Sequence, residues 1–140
     1  MVHALHEAHR VLRPEGRLID LRPAVVHRRV GLTSGGHFHV LGAMREALDL
    51  DRTANRAVAH VLRERRFQAE GRIQFECRRV LDSLDDLRAF VAEFATIRPD
   101  FPSHDWLIRR AERAVSAARG DEKLVVTGPL VMRVLRKLDK

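Results

Sequence analysis

Histidine, carboxylate and arginine side chains are the groups of this chain whose types and spacing could do chemistry. His3, His6 and His9 recur every third residue, and His37 and His39 alternate. Neutral imidazoles spaced in these two ways can share a metal ion from one helix face or one strand face. Consecutive three-residue steps drift around a helix, however, and no carboxylate or thiolate cluster accompanies either group. Solvated histidines are the simpler reading, and no metal site is expected. Asp20, Arg22, His27 and Glu76 would supply acid–base chemistry if the fold brought them together. Nothing in their spacing does so, and salt-bridged strand ends are the stronger expectation. No G-x-S-x-G nucleophile motif is present. The one cysteine, Cys77, excludes an internal disulfide and any paired-cysteine metal or redox site. Spacing therefore assigns no catalytic, cofactor-binding or metal residue.

The elements that would position these groups follow from hydrophobic period and punctuation. From Val2 to Arg13, Ala4, Leu5, Ala8, Val11 and Leu12 recur at three- and four-residue steps, which predicts an amphipathic helix. Pro14 ends it, and Gly16 is expected to take the positive φ of the exit turn. "RLIDL" then reads as a strand, with Leu18, Ile19 and Leu21 nearly continuous as in a strand covered on both faces. "AVVHRRVGL" and "HFHVL" flank "TSGG", so residues 24–41 read as a hairpin with the glycines in its turn. Leu50 to Arg66 is a second helix, with Asp49 or Asp51 as its N-cap.

"GRIQFECRRVL" alternates Ile73, Phe75 and Cys77 against charged residues, the pattern of a strand with one wet face. In "DSLDDLRAFVAEF", Ser83 caps a third helix, with Asp86 three residues on as in a capping box, and Leu84, Leu87, Val91 and Phe94 form its buried stripe. "RPDFPS" is a loop, and Ser103 caps a fourth helix that runs to Arg119 and stops at Gly120. The tail "KLVVTGPLVMRVLRKL" is a strand whose Gly128 and Pro129 mark a bulge or an edge position. No repeat, low-complexity segment or linker breaks the 140 residues. They read as one domain, 1–140, or as one piece of one.

Length suffices for a core without staples. The first sixteen residues lack the apolar h-region of a signal peptide, and no apolar run approaches the ~20 residues of a membrane span. With a single cysteine this points to a cytoplasmic protein that does not enter membranes. The net charge of +7 suggests a polyanion partner. Yet the basic residues are nearly all arginine and are scattered over every segment, whereas a nucleic-acid binder concentrates them on one face. A nucleic-acid partner is not expected.

The opening "ALHEAHRVLRPEGRLIDLRP" resembles class I S-adenosylmethionine-dependent methyltransferases of the type 11-like kind. It is similar to the segment that runs from the helix after their fourth strand into their fifth. Pro14-Glu15-Gly16 stands where the family usually has Pro-Gly-Gly. The later order is compatible with the family: a helix, a strand, then a final strand antiparallel to its neighbours. Residues 83–119 resemble the helical insertion that many members carry over the substrate side. The resemblance thus implies the C-terminal half of that Rossmann-like fold, a truncated α/β or an α+β arrangement. About four helices and four to five strands in a mixed sheet are expected.

It also implies what these residues lack. The family holds its cofactor on a glycine-rich loop after its first strand and on an acidic residue ending its second, and no G-x-G strand–turn–helix fingerprint occurs here. The expectation is the substrate-side half of a methyltransferase, inactive alone, needing S-adenosylmethionine only when completed by a cofactor-bearing half. The alternative is a non-catalytic, self-associating remnant or interaction module. Under both, a homodimer or a heteromer with a partner half is expected.

Overall fold

The chain's first turn shows how its punctuation is used. In the computed structural model, which describes residues 1–98 and 100–139, helix α1 (Val2–Val11) gives way at Leu12 to extended backbone, two residues ahead of Pro14. The left-handed residue of the following turn is Glu15, at φ +59°, and not the expected Gly16. Gly16 is required for a different reason. Its N–H donates to the Arg13 carbonyl at 2.9 Å, and a Cβ there would lie 2.7 Å from that same oxygen.

Beyond α1 come β1 (Arg17–Pro23), β2 (Arg28–Ser34), β3 (His37–Met44), α2 (Asp49–Arg63), β4 (Phe67–Leu81), α3 (Leu84–Ile97), α4 (Asp105–Ala117) and β5 (Lys123–Lys137). Among the described residues these are four helices and five strands, within the expected range of about four helices and four to five strands. β1 and β2 each pair antiparallel with β5, and β2 with β3. β4 also pairs with β5. The early β4 residues Gln68 and Glu70 meet Arg136 late in β5, whereas Glu76 meets Thr127, so this pair is antiparallel too. The pairing is that of the α+β form of the expected fold. Among the described residues no helix is long and apolar enough to cross a membrane.

The chain divides into two compact units. The first comprises residues 1–25, 48–75 and 129–140, and the second 26–47 and 76–128. β4 and β5 contribute residues to both.

In the first unit, β1 pairs with the later part of β5, from Arg17 opposite Arg136 to Pro23 opposite Leu130. Its core gathers Leu5 of α1, Ala57, Val58 and Val61 of α2, Phe67 of β4 and Leu135 of β5, with Leu18 packed against them. α2 begins without a side-chain cap. Leu48 is the N-cap residue, and Asp49 and Asp51, the expected caps, lie inside the first turn, where their charges favour the helix's positive end. Arg65, at φ +55°, turns the chain into β4.

Two expectations, about β1 and about β4, are corrected. Leu18, Ile19 and Leu21 do not form a strand covered on both faces. Leu18 is half-buried, but Ile19 is 63 % and Leu21 52 % exposed. Among the described residues β1 has a strand, β5, on one side only, and α1 and α2 supply cover to the face that carries Leu18. β4 is likewise wet on both faces and not on one. Every residue from Gln68 to Val80 is exposed, including Ile73, Phe75 and Cys77, because the two cores take only its end residues, Phe67 and Leu81.

In the second unit, β2 and β3 form the expected hairpin. Gly35 and Gly36, at φ +53° and +82°, make its two-residue turn, the conformation whose twist suits antiparallel strands. β2 pairs with the earlier part of β5, from Arg29 opposite Thr127 to Thr33 opposite Lys123. Gly128 and Pro129 fall between the stretches of β5 that pair with β2 and with β1, so neither of those two ladders calls on the missing proline N–H. The core joins Val30, Leu32 and Met44 of the hairpin to Leu87, Phe90 and Val91 of α3 and Leu107 and Ala111 of α4.

Ser83 caps α3 as expected, its Oγ accepting the Asp86 N–H at 3.1 Å, while the Asp86 carboxylate accepts the N–H of Asp82. Ser103 accepts the Asp105 N–H at 3.3 Å, but His104 holds the N-cap position of α4. That helix ends at Ala117, two residues short of the expected Arg119.

Candidate functional site

The groups singled out for acid–base chemistry are not brought together. Asp20 and Arg22 belong to the first unit and form a two-pronged ion pair, Nε–Oδ1 2.6 Å and Nη2–Oδ2 2.8 Å. Asp20, two residues after Leu18 and therefore on the same, buried side of β1, is approached to 3.5 Å by Arg133, which also donates to Asn55. His27 and Glu76 belong to the second unit. The His27 ring nitrogen Nδ1 accepts the Glu46 N–H at 3.2 Å. Glu76 pairs with Arg29 at 3.2 Å and accepts the hydroxyl of buried Thr127. Each of the four has a partner, but they are not the salt-bridged strand ends expected: Asp20 and Glu76 lie within β1 and β4, and His27 stands just ahead of β2 with a hydrogen bond and not an ion pair.

The histidines diverge as well. His6 bonds to the Glu64 carboxylate at 2.8 Å, and this bond is the main cause that holds Glu64 below the usual carboxylate range. His9 reaches the Leu138 carbonyl at 3.1 Å and sets its ring edge-on to Phe67. His3 meets His6 only ring to ring, 6.5 Å between centroids. His37 and His39 are exposed on β3. Among the described residues no three His, Cys, Asp or Glu side chains are grouped to hold a metal.

The most concentrated polar chemistry lies in the second unit, at residues that no spacing rule marks. Glu46, just past β3, has a side chain only 1 % exposed. Its Oε1 accepts from Arg28 Nη1 at 2.6 Å, and Arg98, at the end of α3, stands 3.6 Å from Oε2. Arg28 also lies over the Phe94 ring at 4.5 Å. His104 is 2 % exposed, stacked on Phe101, and neither of its ring nitrogens has a hydrogen-bond partner. Burial pushes its pKa down, outweighing the Pro102 and Arg45 carbonyls and the Glu46 charge, which act the other way. A buried imidazole and a buried carboxylate, of which only Oε1 is hydrogen-bonded while Oε2 has just the Arg98 charge 3.6 Å away, lie where the hairpin meets the α3–α4 loop.

S-adenosylmethionine, the cofactor implied by the resemblance, finds no fit in these residues. Gly35 and Gly36 turn a hairpin and do not lead from a strand into a helix N-terminus, where backbone N–H groups would meet a ligand. Asp20, the acidic residue near the end of β1, is buried and consumed by two arginines. No reaction step can be drawn through that cofactor here. In comparisons with known proteins, no family model, no curated protein and no solved structure matches this chain.

Proposed function

We propose that this chain is the C-terminal, substrate-side half of a class I methyltransferase-like fold, inactive by itself, and that the outer side of β1 receives the cofactor-bearing half. The observation that carries the reading is the mismatch between what β1 is made of and where it lies. "RLIDL" has the composition of a strand covered on both faces, yet Ile19 and Leu21 are exposed and β1 ends the strand order. A strand composed for cover it does not receive from its own chain is a strand that expects a neighbour.

The order of elements supports the same reading. β1 and β4, both antiparallel to β5, share a direction and have α2 between them in the chain, while β5 is the last strand and antiparallel to its partners. This is the order that the opening stretch's resemblance implies. The second unit consists largely of the two stretches that depart from it, the β2–β3 hairpin and the α3–α4 pair.

Two measurements on the purified chain test the proposal. Calorimetric titration with S-adenosylmethionine is expected to show no binding, and micromolar binding would overturn the reading by revealing a complete cofactor site. Light scattering over a dilution series is expected to show association that Ile19→Lys abolishes, since a charge on an open edge blocks strand addition. A monodisperse monomer at high concentration, unchanged by Ile19→Lys, would show that β1 seeks no neighbour. A self-associated chain that no cofactor-bearing half can displace would favour the non-catalytic interaction module.

A further inference from the structure

The basic excess of the chain lies mostly in the first unit, and the carboxylates there are largely taken. Glu7 pairs with Arg10, Glu15 with Arg136, Asp20 with Arg22, Asp49 with Arg52, Glu64 with Arg66 and Glu70 with Arg17. Arg56 and Arg63 on α2 have no such partner among the described residues. They do not lie on a flat surface. Together with His60 they line a trough of about 310 Å³ between α2 and the start of α1, whose remaining walls include Met1, Val2 and Ala57.

Positions 56, 60 and 63 are spaced four and three apart, so they fall on one helix face, with about 10.5 Å of helix axis between the outer two. Two long arginine side chains can close on one head group across that span, and His60, which also reaches Glu64 at 3.3 Å, lies between them. Thr53 also lines the trough, and the side chains of Met1, Val2 and Ala57 give it a wall that suits an apolar group. A volume near the lower end of the ~300–1,000 Å³ usual for small-molecule sites suits a compact ligand. Arginine forks match phosphate oxygens with paired, charge-assisted hydrogen bonds.

We propose that this trough binds a soluble organic phosphate monoester with a short apolar body. The phosphate sits between Arg56 and Arg63, and the apolar body lies along Met1, Val2 and Ala57. The site is independent of the β1 edge and does not rest on the methyltransferase reading.

Calorimetric titration with octyl phosphate tests it, beside inorganic phosphate and vesicles of phosphatidylcholine with one-fifth phosphatidic acid as separate arms. Octyl phosphate is expected to bind at a single site. Inorganic phosphate is expected to be about tenfold weaker or worse, as it leaves the apolar wall uncovered, and the vesicles should bind no tighter than octyl phosphate. R56Q/R63Q is expected to lose at least about tenfold in affinity. R13Q/R72Q, which removes the same charge from exposed positions outside the trough, should bind as the parent does. All four arginines are exposed, so far-UV circular dichroism should be unchanged in both variants. Absence of octyl phosphate binding, equal loss in the two double variants, or binding to the vesicles alone would overturn the proposal.

Discussion

Replacing Glu46 by Gln keeps the volume of the side chain and removes its charge. In the folded protein Arg28 is 19 % and Arg98 11 % exposed at the side chain, and Arg28 has its closest carboxylate oxygen at 2.6 Å. Breaking a buried ion pair by removing one partner costs roughly 3–5 kcal/mol, because the other charge stays desolvated. Arg28 keeps its place over Phe94 and a fifth of its side chain in water, so the lower end, about 3 kcal/mol, is the expected loss. With a urea dependence of ~2 kcal/mol per molar this moves the unfolding midpoint down by about 1.5 M. Trp106 makes the assay selective. It is the chain's single tryptophan, it belongs to the second unit, and its ring stands where a Cβ on Gly42 would be. Its fluorescence therefore follows the unit that contains Glu46. The double variant Glu46→Met with Arg28→Met should be more stable than Glu46→Gln, since apolar residues of similar size carry no stranded charge. A loss below about 1 kcal/mol for Glu46→Gln, or a double variant that is worse than the single one, would refute the claim that this pair is buried and mutually dependent.

Three further outcomes follow from particular contacts. Because the folded pKa of His104 lies below its unfolded value of ~6.5, the unfolded chain binds the extra proton between the two; the stability contributed by the neutral ring is present above about pH 6.5 and is lost as pH falls toward the folded value. Urea midpoints from pH 7.5 to pH 5 should show this fall in the parent, and His104→Phe, which retains the stacking on Phe101, should flatten it. Ser83→Ala removes the acceptor of the Asp86 N–H and should cost about 1 kcal/mol by the same titration. Leu135→Ala, at a position with no exposure in the first unit's core, should cost roughly 2–5 kcal/mol in urea unfolding followed by circular dichroism, with the spread set by how far the site collapses.

Local rules carried those parts of the fold whose causes are local. The α1 repeat, the glycine turn at 35–36 and the Ser83 cap depend on residues within a few positions of one another, and they stand where the sequence places them. Burial was not legible in the same way. An unbroken apolar run such as Leu18, Ile19 and Leu21 states that cover is wanted, but not whether the chain itself provides it. The alternation of Ile73, Phe75 and Cys77 has the same limit. The Glu46 and His104 cluster was invisible for another reason. Its members come from a strand end, a helix end and two loops, where single charged residues are ordinary and no period exists to mark them. Only the placement of Arg28 and Arg98 around one carboxylate distinguishes Glu46 from its neighbour Arg45.

The shared use of β5 bears on how the polypeptide is made. Both units take a strand from residues 123–137, the last of the five strands to leave the ribosome, and the contact between Glu15 and Arg136 joins positions 121 residues apart. A nascent chain that has emerged only as far as α4 can form its helices and the β2–β3 hairpin, but β1 has no strand to pair with and neither core is closed. Pairing over such separations is slow, and apolar side chains stay open to chaperones and to neighbouring nascent chains until synthesis has passed Lys137. Ribosome stalling before β5 would therefore leave two unfinished units at once, and a premature stop codon there would be felt by the whole protein and not only by its tail.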